Sequence, residues 1–460
     1  MKILSSARAR LTAVGASMLV LGGCVSLSAD GGLNEVSSLT GARTGVAVQL
    51  SKEAPSDEER ARIGALLGQP LTPDSAVQIA LLNNRDLKVA LAELGVAEAD
   101  FVQSGRLSNP GLSFSRVSGG GVTEVDRGIS FNIASLITLP LRRGIERNRF
   151  EQGKLAAAQQ ATATAGETRR AFFEAVAARQ TAEFMEQVNQ SAQASAELAG
   201  RMQAVGNWSK LDQAREQVYY AQTIAQLARA RLDVTTTRER LVQLLALDED
   251  QLAFSLPARL PDLPKAPREV SSAETQAFGQ RLDVQIAQRD AQATAKALGL
   301  TRATGFINVF DAGYADKSTT GSPRERGYAI SLELPIFDWG TARTARAEAS
   351  YMEAVHRTAA AAIRARSEVR QAYATYRTDY DLALHYRDEV VPLRKSISDE
   401  MLLRYNGMLA STFELLADAR DQAVSVNAAI NAQRDFWIAD TTLQAVISGG
   451  PAKSQMSTAQ

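Results

Sequence analysis

The sequence predicts a mainly α protein with a small β part, built from one helix–strand–strand–helix–helix module written twice. Three observations carry that expectation. Very long stretches place alanine and aliphatic residues at the 3.5-residue spacing of supercoiled helices. Short stretches between them alternate apolar and polar residues with a period of two. The same motifs then return in the same order, with Asp86 and Asp283 lying 197 positions apart.

Composition narrows the classes before any motif is read. The chain has 460 residues, 45% hydrophobic and 22% charged, which fits neither a disordered tail nor a conventional helical membrane protein. Lys and Arg (51) balance Asp and Glu (51), so the surplus positive charge that displaces counterions from nucleic acid is missing. One cysteine excludes an intramolecular disulfide framework and a thiolate metal cluster, and two histidines argue against a histidine-rich metal site. His356 and His385 lie 29 residues apart on one predicted helix and cannot share a ligand. No phosphate-cradling glycine loop, metal quartet or nucleophile motif is present, so no enzyme is expected.

Residues 1–23 read as a targeting segment. Lys2, Arg8 and Arg10 precede an apolar run from Leu11 to Leu21 that is too short to span a bilayer as a stable helix. The run ends in Leu21-Gly22-Gly23-Cys24, which resembles a bacterial lipobox, with Cys24 as the lipidation site. The alternative is an ordinary secretory signal with an incidental cysteine. The position of the sole cysteine at this spot favours a diacylglycerol and an N-acyl (palmitate) lipid, and no other cofactor is expected. Val25 follows, rather than the aspartate that commonly retains lipoproteins at the inner membrane. Residues 24–70 then read as a lipidated tether, polar and rich in Gly and Ser in their first half.

The first module covers residues 71–247. It opens on a helix predicted over Pro73–Val102, containing Asn84-Arg85-Asp86-Leu87. Strands are expected over about 109–139, where Leu112 and Phe114 alternate with serines and Ile129, Phe131 and Ile133 alternate with Gly128, Ser130 and Asn132. The polar stretch Ser118–Asp126 reads as the hairpin loop. Beyond Leu139-Pro140-Leu141 a helix is predicted to about Ala204, roughly 90 Å at 1.5 Å per residue. The chain turns at Val205-Gly206-Asn207-Trp208-Ser209 and returns through Ala214, Val218, Ala221, Ala225, Ala228 and Leu232, spaced 4-3-4-3-4.

Residues 248–269 contain Pro257, Pro261, Pro264 and Pro267 and form the linker, because proline at that density favours an extended crossing. The second module spans 270–448, opening near Ser272 with Arg281-Leu282-Asp283-Val284. Strands are expected over about 305–336, with Tyr328, Ile330, Leu332 and Leu334 alternating with Ala329, Ser331 and Glu333. The loop between them reads as Ala315–Arg326, and the strands end at Leu334-Pro335-Ile336. The next helix runs from Thr341 to about Tyr405, broken only by Pro392, and turns at Asn406–Ser411. Ala214-Arg215-Glu216-Gln217 matches Ala419-Arg420-Asp421-Gln422, an offset of 205. Residues 449–460 read as a flexible tail.

Taken alone, the alternating strands suit a small soluble sheet packed on helices or a piece of transmembrane β-barrel. Four strands cannot close a barrel, whose minimum is about eight, so the second option requires several copies of the chain. The helices likewise suit an ordinary antiparallel bundle or a curled sheet of helices, to which small residues at the seam give two contact faces.

The signal, the lipobox, the duplicated module, the Asn109-Pro110 strand opening and the glycine-containing tips together resemble the TolC-like outer-membrane efflux family, over roughly Pro73 to Gly450. The resemblance implies a homotrimer in which each chain gives four strands to a shared 12-stranded transmembrane β-barrel and its long helices to a trimeric α-barrel in the periplasm. It implies a Gram-negative outer-membrane location in contact with lipid, and a passive exit duct for small molecules or ions. The expected partners are a periplasmic adaptor and an inner-membrane pump of the resistance-nodulation-division type, with no nucleic acid. Adaptor docking carries over to the tips at Gly206, Ser209, Gly407 and Ser411. Acidic gating carries over to Glu414 in Phe413-Glu414-Leu415-Leu416. The family's second acid falls on Ala417 here, and Asp212 takes the equivalent place in the first module. Arg201, Arg404 and Tyr405 are candidates for the family's tip latches. A type I secretion outlet of the same architecture, or a periplasmic coiled-coil adaptor without a pore, remains the alternative.

Overall fold

The computed structural model describes residues 26–269, 281–305, 309–333 and 336–449. The signal segment, Cys24, the opening near Ser272, the strand end at Leu334-Pro335 and residues 450–460 lie outside the described residues. The chain forms two compact units. One joins the residues up to Gly32 with Ala92–Ala156 and Val284–Ala361, and the other joins Leu33–Leu91, Ala157–Asp283 and Ala362–Gln460.

The first unit holds the sheet. Strands β1 (Gly111–Gly119), β2 (Val122–Asn132), β3 (Phe310–Thr319) and β4 (Glu325–Leu332) pair antiparallel in the order β1-β2-β3-β4. Both hairpins are tighter than the sequence suggested. Gly119 pairs with Val122, leaving only Gly120 and Gly121 in the first turn, at φ 58° and 82°. Two consecutive positive φ values are what a primed two-residue turn demands, and glycine meets them without a Cβ clash. Most of the polar residues expected in loops therefore lie within the strands, alternating between the two sheet faces. The second turn is Thr320–Arg324, with Gly321 at φ 84°.

The strand reading also ran too far at its other end. β2 stops at Asn132, whose Oδ1 accepts the Ser135 N–H at 2.5 Å, and a helix begins at Ile133 with Pro140 inside it. The asparagine satisfies one of the orphan donors of the first turn, a helix start that alternation alone does not reveal. β3 likewise begins at Phe310 rather than Gly305. Helices α4 (Arg85–Ser104) and α5 (Ile133–Ala204) pack through stacked Phe101 and Phe150, 5.9 Å between ring centres. α7 (Leu282–Ala303) and α8 (Thr341–His385) are tied by Arg302–Glu348 at 2.6 Å and by the Thr358 hydroxyl donating to Ala287 O at 3.0 Å.

The second unit is helical. Residues read as a tether instead hold α1 (Leu33–Thr44) and α2 (Asp57–Leu67), and Val46, Val48 and Leu50 between them are alternately buried. The single helix expected over Pro73–Val102 breaks into α3 (Pro73–Asn83) and α4 at Asn84, whose ψ of 125° leaves the helical region. Asn84 Oδ1 accepts the Leu87 N–H to start α4, and the Asn84 amide donates to Leu244 O at 2.9 Å. The Asn83 amide donates to Leu245 O at 3.1 Å. These asparagines satisfy the exposed carbonyls at the end of α6 (Lys210–Leu245).

α5 is 72 residues long, and α6 and α10 (Thr412–Ile447) are 36 each. Pro392 does not break its helix. α8 passes through one wide turn, Tyr386–Val390, into α9 (Val391–Asn406), with the Val391 N–H bonded to Tyr386 O. A proline that cannot donate to the carbonyl four residues back is accommodated by widening the turn before it. The core centres on Tyr376, Tyr380, Phe436, Leu443 and Val446, with the proline-rich linker strapped across it. Pro261 O accepts Trp437 Nε1–H at 2.9 Å, and Pro264 O accepts the Tyr380 hydroxyl at 3.1 Å.

Candidate functional site: the exposed sheet and the helical tips

Directly opposite residues on antiparallel strands share a face, so the register sorts the sheet into two surfaces. One face carries Leu332 and Phe310, then Ile330, Ala312 and Phe131, then Tyr328, Tyr314, Ile129 and Leu112 in one row. Apart from half-buried Phe310, the large groups are exposed, Tyr328 at 85%. The other face carries Ser113, Ser115, Gly128, Ser130, Gly313 and Ala329, small or polar throughout. Such a sheet has its oily side unburied by its own chain, and β1 and β4 have no strand on their outer edges among the described residues. No described helix is long and apolar enough to cross a membrane.

The two helical tips share one construction. Asn207 N–H bonds Met202 O at 2.9 Å and Leu409 N–H bonds Arg404 O at 2.8 Å, the wide closing bond of a Schellman ending. The left-handed residue is Gly206 (φ 79°) in the first tip but Met408 (φ 61°) in the second, whereas Gly407 sits at φ −80°. Glycine therefore supplies the left-handed residue at one tip only. Ser209 and Ser411 then cap the returning helices. Ser209 Oγ accepts the Asp212 N–H at 3.1 Å and donates to its carboxylate at 2.6 Å. Ser411 Oγ does the same for Glu414 at 3.2 and 2.9 Å, and the Ser411 N–H also reaches the Glu414 carboxylate at 2.7 Å. The Ser411 N–H, followed by its hydroxyl, holds the Glu414 carboxyl below its ordinary value.

These caps correct the sequence alignment of the two modules. Ser209 and Ser411 differ by 202 positions, as do Asp212 and Glu414, so Asp212 is the counterpart of Glu414 and not of Ala417. The same 202 relates three further buried pairs: Glu216 with Asp418, Thr223 with Ser425, and Leu241 with Leu443. The offset of 205 was a slip of three residues, nearly one helical turn, which an alanine-rich helix tolerates without disturbing its pattern. Glu216 and Asp418, one turn beyond Asp212 and Glu414, were missed for that reason. Arg420 is hydrogen-bonded to the buried Glu216 carboxylate and lies 4.4 Å over the Tyr219 ring, tying α6 to α10. Asp418 accepts the Ser398 hydroxyl at 2.7 Å. Arg404, a latch candidate, pairs with Glu400 on its own helix at 3.0 Å. Farther along, α5, α6 and α10 leave a polar cleft of about 530 Å³ lined by Glu174, Asp233, Asn431 and Asp435.

An open four-stranded sheet joined to two paired sets of very long helices is the fold of the TolC-like outer-membrane efflux channels. The chain is similar to the CmeC outer membrane channel of Campylobacter jejuni (TM-score 0.71, 16% identity, 88% of this chain and 91% of that one). It is similar to the outer membrane protein VceC of Vibrio cholerae (TM-score 0.67, 17% identity, 86% and 99%). It is also similar to the MtrE outer membrane channel of Neisseria gonorrhoeae in its open state (TM-score 0.66, 18% identity, 82% and 89%). No family model and no curated protein sequence matches it.

Proposed function

We propose that the chain is the outer-membrane exit duct of a tripartite efflux system, working as a homotrimer that passively conducts small molecules or ions outward. The observation that carries this reading is the sheet: four strands, two open edges, one face of exposed Leu, Ile, Phe and Tyr, the other of Ser, Gly and Ala. Apolar side chains left in water cost roughly 25 cal/mol per Å², and lipid removes that cost without any protein partner. Three copies supply twelve strands, enough to enclose an aqueous lumen lined by the polar face. Lipid on Cys24 adds an anchor, since two or three acyl chains hold a chain at a membrane far better than one.

Exposed apolar stripes on the long helices support the same assembly. Val218, Ile224 and Leu232 on α6 are each about half exposed or more, and a neighbouring copy would bury them in a helical barrel. The tips at Gly206, Ser209, Gly407 and Ser411 present Val205, Met408 and Leu409 to solvent, a surface suited to a periplasmic adaptor that in turn engages an inner-membrane pump of the resistance-nodulation-division type. Nothing in the duct consumes energy, so the pump drives transport. Asp212 and Glu414, paired across the modules and repeated threefold, would ring the periplasmic mouth with six carboxylates and favour cations.

The test is fractionation followed by planar-bilayer recording. Recovery in outer-membrane fractions as a heat-resistant trimer that opens aqueous conductance is expected, and a soluble monomer without conductance contradicts the reading. Reversing both acids (Asp212→Lys with Glu414→Lys) is expected to invert the ion preference. An unchanged preference removes the gate assignment and leaves the duct.

A further inference from the structure

The row of the sheet next to the aromatic one is not apolar. Moving from Leu112–Ile129–Tyr314–Tyr328 toward the hairpins, the next cross-strand row on the same face is Phe114–Arg127–Asp316–Arg326. Arg324, from the turn before β4, closes on the same aspartate: its Nη2 lies 2.6 Å from Asp316 Oδ1 and its Nε 2.7 Å from Oδ2. Arg127 and Arg326 approach Asp316 at 3.6 and 3.4 Å. Arg116 follows on that face one row nearer the hairpin turns.

Charge is thus sorted through the thickness of the sheet. The apolar face carries Arg116, Arg127, Arg324 and Arg326 against the single Asp316, while the opposite face at these levels carries Glu124, Asp126 and Glu325 against Lys317. Asp316 is 7% exposed, but the three guanidiniums around it are about half exposed. One carboxylate cannot satisfy three guanidiniums, each with five N–H donors, and their mutual repulsion remains. The spare donors point to an anion with several oxygens, which arginine grips with its planar fork.

Position selects that anion. From Leu332 to Arg326 is six residues, about 20 Å along a strand, close to the apolar band of about 25 Å on outer-membrane barrels. Tyrosines at its hairpin end mark the headgroup level, and the arginines come next. The hairpins are the ends of the strands remote from the helices, so in the proposed orientation this level is the outer leaflet. We propose that Arg127, Arg324 and Arg326, gathered on Asp316 beyond the tyrosine row, bind the phosphate groups of lipid A. The proposal rests on the outer-membrane reading for its orientation, and on the row geometry for its chemistry.

The test is native mass spectrometry of the purified oligomer in detergent, titrated with diphosphorylated lipid A, with chemically dephosphorylated lipid A, and with phosphatidylethanolamine. Diphosphorylated lipid A is expected to bind at least about tenfold more tightly than either comparator. The double variant Arg127→Gln/Arg326→Gln, which keeps the Arg324–Asp316 pair, is expected to lose about tenfold, and Arg127→Lys/Arg326→Lys to lose less. Equal binding of phosphorylated and dephosphorylated lipid A overturns the proposal even if the glutamine variant fails to assemble. Displacement by inorganic phosphate at the lipid's own concentration overturns it in favour of a general anion site. Failure of the outer-membrane reading appears separately, in the fractionation of the wild-type chain.

Discussion

The two returning helices, α6 and α10, have the same length, a serine cap, an acid at the third position (Asp212, Glu414) and a buried acid one turn later (Glu216, Asp418). They differ in what faces outward. At matched positions 202 apart, α6 has Val218, Ile224 and Leu232 where α10 has Arg420, Val426 and Arg434. Arg420 and Arg434 find partners inside the chain, Glu216 for the one and Asn431 and Asp435 for the other. Leu232 remains 64% exposed. α10 packs into the core of its own chain through Phe436 and Leu443, with Val424 left 70% exposed, whereas α6 leaves Val218, Ile224 and Leu232 about half exposed or more. Divergence at these matched positions leaves α6 with a more apolar outward face than α10, a surface that contact between copies could cover.

The comparison is most sharply broken by truncating each face. Phe436→Ala is expected to cost about 3–5 kcal/mol of stability in chemical denaturation, because the cavity cannot collapse inside the aromatic cluster. Leu232→Ala is expected to leave the circular dichroism of the chain intact and to weaken assembly instead. Next in size, Arg420→Met strands the buried Glu216 carboxylate and is expected to cost about 3 kcal/mol, most of it recovered in Glu216→Gln/Arg420→Met. An additive double variant would show that the two residues do not act as a pair. At the tips, Met408→Gly is expected to stabilise by about 1 kcal/mol in thermal melts by releasing a left-handed non-glycine residue, and Gly206→Ala to destabilise by a similar amount.

The smallest effect concerns Asp440, whose counterpart on α6 is Arg238. Burial raises the Asp440 carboxyl above its ordinary value, against the opposing influence of Arg268 at 3.5 Å and Gln444 at 2.7 Å. A group raised in the folded state contributes stability below the unfolded carboxylate value, near 4, and loses it as pH rises through the folded value. Asp440→Asn is therefore expected to gain stability relative to the parent between acid and neutral pH, read as a growing difference in melting temperature. A parallel pair of pH profiles would show that the burial of Asp440 is without consequence.

Much of this architecture was legible in residue spacing. The module order, both hairpin tips, the proline strap and the oily side of the strands follow from periods of two and 3.5 and from proline chemistry. What was not legible depends on partners distant in sequence or on a cap that interrupts a pattern. Asn132 starts α5 eight residues before Pro140, where alternation still read as strand. Asn84 splits a helix because carbonyls at the end of α6 need its amide. Residues 33–67 read as polar tether because their few apolar positions are thinly spaced, yet Val36, Val46, Val48, Leu50 and Ile63 all find cover. Of the candidate site residues, the caps Ser209 and Ser411 and the acids Asp212 and Glu414 were visible, whereas the buried Glu216 and Asp418 were hidden by the three-residue slip.

The most direct measurement is the mass of the purified particle in detergent, by light scattering or native mass spectrometry, for the parent and for Val218→Glu/Leu232→Glu. Three chains per particle for the parent and single chains for the variant are expected if the apolar face of α6 packs against a neighbouring copy. A parent that stays a single chain, or a variant that holds three chains as firmly as the parent, would contradict it.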